Sequence, residues 1–134
     1  MIIRDINRHV SRNFTEKEFF TKDPEYTQDG HYLDPRLIQA VQHIRDVFAT
    51  PIRINSTFRT HEYNKRIGGA PNSYHTRGMA VDWMFTQNNM NNLDILKTSP
   101  HILSAIREMG IKGIIFYPTF VHFDTRENEY TKEN

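Results

Sequence analysis

Asp82 stands in the apolar run Ala80-Val81-Asp82-Trp83-Met84, part of a segment, Met79 to Phe85, that reads as a central strand. A carboxylate buried there without a partner is costly. Any fold the chain adopts must therefore bring a cation or hydrogen-bond donors to it. His75 lies upstream, with Gly78 between the two to let the backbone turn. A second strand-like run, Phe120-Val121-His122-Phe123-Asp124, supplies another imidazole and another carboxylate. Alternate side chains of a strand share a face, so His122 and Asp124 point to one side with Phe120, and Val121 and Phe123 to the other.

Two histidines and one carboxylate make a ligand set for zinc that leaves one position open, which is how a hydrolytic site is built; a fourth protein ligand would make it structural. Spacing alone leaves His75, Asp82 and His122 open between metal ligation and ordinary hydrogen bonding, since such a trio arises easily by chance in a chain with seven histidines. His9, His31, His43, His61 and His101 are read as surface or hydrogen-bonded residues. There is no cysteine, so no thiolate competes as ligand and no disulfide holds the fold.

The 134 residues suit one domain, 1–134, whose polar last ten residues, from 125, are expected to form a loose tail. Seventeen basic and sixteen acidic residues leave a net charge of +1, which gives no argument for nucleic acid or an anionic membrane. No apolar run approaches the roughly 20 residues needed to cross a bilayer. Met1 to Arg8 lacks the apolar stretch of a secretory signal, so synthesis in the cytoplasm is expected.

Local signals predict an α+β order, helices first and then a small antiparallel sheet carrying the site. Thr15-Glu16-Lys17-Glu18 has the form of a capping box, with Phe14 and Phe19 as its hydrophobic staple. Asp34-Pro35 opens a helix whose apolar face is Leu37, Ile38, Val41, Ile44, Val47 and Phe48. Pro51 to Asn55 alternates like a strand, and Thr60 to Ile67 reads as a short helix stopped by Gly68-Gly69. Gln87 to Asn92 is read as a loop, and Ser99-Pro100 opens a helix closed by Gly110. Gly113 to Tyr117 and Phe120 to Asp124 form a hairpin around Pro118-Thr119.

Several elements taken together resemble the zinc D-alanyl-D-alanine carboxypeptidase (M15) superfamily. They are Ile54-Asn55-Ser56-Thr57-Phe58-Arg59-Thr60, Asn64, Gly68-Gly69, Ser73-x-His75-x-x-Gly78-x-Ala80-x-Asp82 and Phe120-Val121-His122-x-Asp124. The compact branch found among phage and bacterial murein peptidases is similar even in the opening Asn13-Phe14-Thr15-x-x-Glu18-Phe19. The resemblance runs from about residue 11 to 126, nearly the whole chain. It implies a hedgehog/D-Ala-D-Ala peptidase-like fold, with Zn2+ held by His75, Asp82 and His122. It also implies hydrolysis of peptide bonds in peptidoglycan stem peptides, at D-amino acids, by an enzyme of phage lysis or entry. Such an enzyme acts on the cell wall after release or as a virion component, and is a monomer unless built into a virion. The alternative is a zinc-containing binding or virion module without turnover.

The same resemblance gives Arg59 a role in catalysis and substrate binding, and Ser73 a role in substrate binding; the bland readings are a surface ion pair and a capping residue. Zinc lowers the pKa of a water it holds towards about 7, and a general base must then take the proton. Many members of the superfamily carry an acid three residues before the last histidine, where this chain has Thr119. Asp124 is the substitute candidate as base, its competing role being to accept the far N–H of a ligand histidine. Glu62 and Asp94 are remoter candidates, and Tyr117 is a candidate hydrogen-bond donor to substrate.

Overall fold

A computed structural model describes residues 1–87 and 91–134. Two short strands, β1 (Ile2–Arg4) and β2 (Gly30–Tyr32), pair antiparallel as a ribbon at the start. Between them lies a 3-10 turn, Glu16–Phe19. The expected capping box forms: Glu18 reaches back, its carboxylate accepting from the Thr15 amide at 2.6 Å, and the Thr15 side chain faces the Glu18 amide while its hydroxyl also meets that carboxylate at 3.0 Å. The expected staple forms, with the Phe14 and Phe19 rings edge to face at 5.6 Å.

Helix α1 (Pro35–Phe48) begins where Asp34 caps the Arg36 amide and ends at Ala49 in the left-handed region. Leu37, Ile38, Val41 and Ile44 are buried on one face as the spacing predicts, whereas Val47 is 46% exposed. The α-helical period of 3.6 residues carries Val47 beyond the edge of the buried stripe. Strand β3 (Ile52–Ser56) follows, then α2 (His61–Arg66), a 3-10 turn over Tyr74–Arg77, and β4 (Ala80–Phe85). The expected loop Gln87–Asn92 falls partly on residues 88–90, outside those described; Asn92 opens α3 (Asn92–Lys97), a helix the sequence did not signal. Helix α4 (Pro100–Glu108), β5 (Gly113–Phe116), β6 (Val121–Asp124) and β7 (Tyr130–Glu133) complete the chain.

The five-stranded sheet has the order β3-β4-β6-β5-β7. Strands β3 to β6 pair antiparallel, with β5 and β6 joined as the expected hairpin. Two expectations need correction. The terminal segment is not wholly loose: β7 adds to the β5 edge in parallel register, Gly113 opposite Tyr130. Helices also do not precede the sheet, because β3 lies between α1 and α2. One face of the central strands packs Val81, Trp83, Val121 and Phe123 into the core with α1, and all four are fully buried. The opposite face of the same strands carries Asp82, His122 and Asp124. Among the described residues, no helix is long and apolar enough to cross a membrane.

Candidate metal centre

Register brings the polar residues together. Strands β4 and β6 pair Asp82 with His122 and Ala80 with Asp124, so both carboxylates and the imidazole lie on one face of the sheet, opposite the core. His75 arrives from the 3-10 turn. Ser73 caps that turn, its hydroxyl accepting from the His75 amide at 3.2 Å. Gly78 closes it at φ 69°, where the Tyr32 carbonyl leaves no room for a side chain.

His75, Asp82 and His122 are buried, and one ligand atom from each lies within 4.8 Å of the others. The His75 Nδ1–H donates to the Thr57 carbonyl at 2.6 Å, which leaves Nε2 as the lone-pair nitrogen. That Nε2 is buried without a hydrogen-bond partner, 3.2 Å from Asp82 Oδ2. Two donors about 2.0–2.1 Å from a tetrahedral zinc lie about 3.3 Å apart, close to this spacing. On the other side, His122 Nδ1 lies 2.9 Å from Asp82 Oδ1. The donor set and the orphaned, correctly tautomerised nitrogen fit a divalent cation.

Asp124 sits behind this trio. Its carboxylate is fully buried, accepts from His122 Nε2 at 2.7 Å, and accepts from Arg126 through the main-chain amide, Nε and Nη2 at 3.1, 2.8 and 2.6 Å. Gly113, opposite Asp124 in β5, leaves the space it occupies; a Cβ there would overlap the carboxylate. Asp124 does not line the cavity in front of the trio. This position runs against the expected base role, because a general base must reach the water it deprotonates.

Burial alone would raise the Asp82 pKa, but the imidazoles of His122 and His75 outweigh it and hold the carboxyl well below the usual carboxylate range. Burial opposes the charged form of His122, yet the carboxylates of Asp124 and Asp82 overcome it and raise the imidazolium to about 9. Asp124 is likewise held low, against its burial, by Arg126 and His122.

A cavity of about 510 Å³ opens in front of the trio. Ser73, Arg59 and Tyr117, the remaining site expectations, all line it. Arg59 is neither on the surface nor free: its guanidinium donates to Ser56 Oγ at 3.0 Å, Asn64 Oδ1 at 3.2 Å and Asp82 Oδ2 at 3.4 Å. The Tyr117 ring stacks on Phe120 at 4.4 Å. Glu62, Asp94 and Thr119 line no part of this cavity, and Thr119 instead faces a smaller neighbouring one with Pro118, Phe120 and Leu93. Sequence reasoning missed Arg126, which lines the main cavity, and the Thr57 carbonyl, which sets the His75 tautomer. Alternation continued two residues past Asp124 would have placed Arg126 beside the site.

A search of curated proteins gives no match. The family model described as Peptidase M15 matches residues 12–124, a span that contains β3 to β6, the trio and most of the cavity lining. With its buried pair of imidazoles and a carboxylate arranged as a metal site, this chain belongs to the Peptidase M15 family and is a metallopeptidase.

Proposed function

We propose that the metal is zinc and that the substrate is a peptidoglycan stem peptide cleaved at a D-amino acid, in the service of phage lysis or entry. The observation that carries the metal half of this reading is His75 Nε2, which is buried and without a hydrogen-bond partner, its tautomer fixed by Thr57. When bound, zinc supplies a Lewis acid that polarises the scissile carbonyl and acidifies water. His75 Nε2, Asp82 and His122 Nδ1 hold it, and Asp124 orients His122 from behind by accepting the Nε2–H. Arg59 fixes the Asp82 carboxylate through Nη2 and brings positive charge to the cavity wall, where a developing oxyanion is stabilised. Ser73 and Tyr117 present hydroxyls along the cavity for the peptide main chain. The aromatic pair Tyr117–Phe120 provides a flat apolar wall beside them.

A second reading, a zinc-holding binding or virion module without turnover, is favoured by one observation. Among the described residues, Asp82 is the only carboxylate lining the cavity, and it is committed to the imidazoles and Arg59. Incubating the zinc-loaded protein with purified muropeptides, with and without chelator, and counting new free amines separates the two. Chelator-sensitive release of amines supports the peptidase; stoichiometric zinc with no release over prolonged incubation supports the binding module.

A further inference from the structure

Two arginines face the cavity, and they are not equivalent. All three guanidinium nitrogens of Arg59 have partners, in Ser56, Asn64 and Asp82. Arg126 spends its Nε–Nη2 edge on the two oxygens of Asp124. Its Nη1 has no partner among the described residues, which leaves the Nη1–Nη2 edge of the fork free. That edge carries two parallel N–H groups in the geometry that takes a carboxylate bidentately.

The guanidinium of this fork packs on two aromatic rings. The Arg126 guanidinium lies over the Tyr74 ring at 4.8 Å and over the Tyr130 ring at 4.6 Å. Arg77 stacks on Tyr74 as well, at 5.2 Å. A cation held against two aromatic rings and a buried carboxylate loses little side-chain freedom when it binds an anion. This is a pre-organised group at the cavity wall, with its side chain 19% exposed.

Arg126 is also placed close to the chemistry. It hydrogen-bonds Asp124, which hydrogen-bonds His122, which meets Asp82. A guanidinium one carboxylate removed from the candidate ligand His122 is within the reach of one or two extended residues, roughly 3.3–3.6 Å each.

We infer that the free edge of Arg126 is an anion subsite that reads a carboxylate on the leaving side of the scissile bond, so that the chain acts as a carboxypeptidase. This inference rests on the proposed peptide hydrolysis. In that reaction one water is consumed: the C–N bond breaks, the acyl carbon gains the water oxygen, and the leaving nitrogen takes a proton. The released fragment keeps its carboxylate on Arg126. Arg126 is a specificity-determining residue here, separate from Arg59, each of whose three guanidinium nitrogens already holds a residue of the metal-site scaffold.

The test has a binding arm and a turnover arm. In the first, chelator-treated protein is titrated with N-acetylalanine and with its carboxamide, followed by NMR shifts. The carboxylate is expected to bind about tenfold or more tightly than the amide, with the preference lost in Arg126→Gln and partly kept in Arg126→Lys. Equal binding of the two probes, or an undiminished preference in a folded Arg126→Gln, overturns the inference. In the second arm, zinc-loaded protein is offered stem peptides ending in a free carboxylate or a carboxamide. A higher KM for the amide, with the difference abolished in Arg126→Gln, is expected. Equal turnover of both peptides overturns the inference while leaving the peptidase reading intact. If neither peptide is cleaved, the peptidase reading fails and the binding arm still decides the subsite.

Discussion

His122 bridges Asp82 and Asp124, with Nδ1 2.9 Å from one carboxylate and Nε2 2.7 Å from the other. An imidazole has one proton to give when neutral. If Nδ1 ligates a cation, the proton must sit on Nε2, and Asp124 is what keeps it there. Asp124→Asn keeps the shape and removes the charge. Zinc affinity, measured by competition with a chromophoric chelator, is expected to fall about 10- to 100-fold. Activity at saturating zinc should persist. Unchanged affinity with abolished turnover would return Asp124 to the role of base.

The same arrangement gives the metal-free protein a pH signature. The folded pKa of His122 is raised to about 9, above an unfolded value near 6.5. Its contribution to stability is therefore complete below about 6.5 and is lost as pH rises through 9. Asp82 and Asp124 are held low, so their contribution is present above about 4 and is lost as pH falls below it. Urea unfolding in the presence of chelator should show maximal stability between about pH 4 and 6.5, declining towards 9. Zinc competes with the His122 proton, so its affinity should climb over the same upper window. A metal-free stability flat from pH 6.5 to 9 would contradict this charge assignment.

The candidate trio was legible only in part: the strand period put His122 and Asp124 on a common face, whereas the family resemblance, not spacing, joined His75 and Asp82 to His122 as one ligand set. Asp82 in an apolar strand required a partner, and His122 lay at the position that register places opposite it. Trp83, alternating away from Asp82, is fully buried as that period demands. What the sequence concealed came from contacts without a local pattern. Strand β7 is exposed at every position, so it shows no hydrophobic alternation; its pairing with β5 is a matter of main-chain bonds at a sheet edge. Tyr130 in that strand covers Arg126, so reading the terminus as loose hid both residues at once. The main-chain carbonyl of Thr57 carries no side-chain signature at all.

Gly113 is a glycine by exclusion. Its backbone needs no special conformation, but the Asp124 carboxylate fills the space where a Cβ would project. Gly113→Ala should cost roughly 1–3 kcal/mol of stability, the usual penalty for overpacking. It should also weaken zinc binding, because Asp124 must shift away from His122. A thermal unfolding comparison with and without zinc checks both. A variant with wild-type stability and wild-type zinc affinity would show that the sheet relaxes without disturbing Asp124.

Arg59 provides the sharpest test of geometry against charge. Its three nitrogens fan out to Ser56 at the β3 irregularity, Asn64 on α2 and Asp82 on β4. A lysine keeps the positive charge but offers one nitrogen and no planar fork. If Arg59 acted only as a diffuse cation, Arg59→Lys would be nearly neutral. If it locks Asp82 in register with the two imidazoles, the variant loses two of the three anchors. The expected result is a kcat reduced about 10- to 100-fold, with zinc still bound and KM changed much less. The pattern to look for is that split, since loss of a substrate-binding contact shared by ground and transition states would raise KM and leave kcat alone. An Arg59→Lys enzyme with wild-type kcat would show that the cation's charge alone, independent of its hydrogen-bond fan, is what the cavity requires.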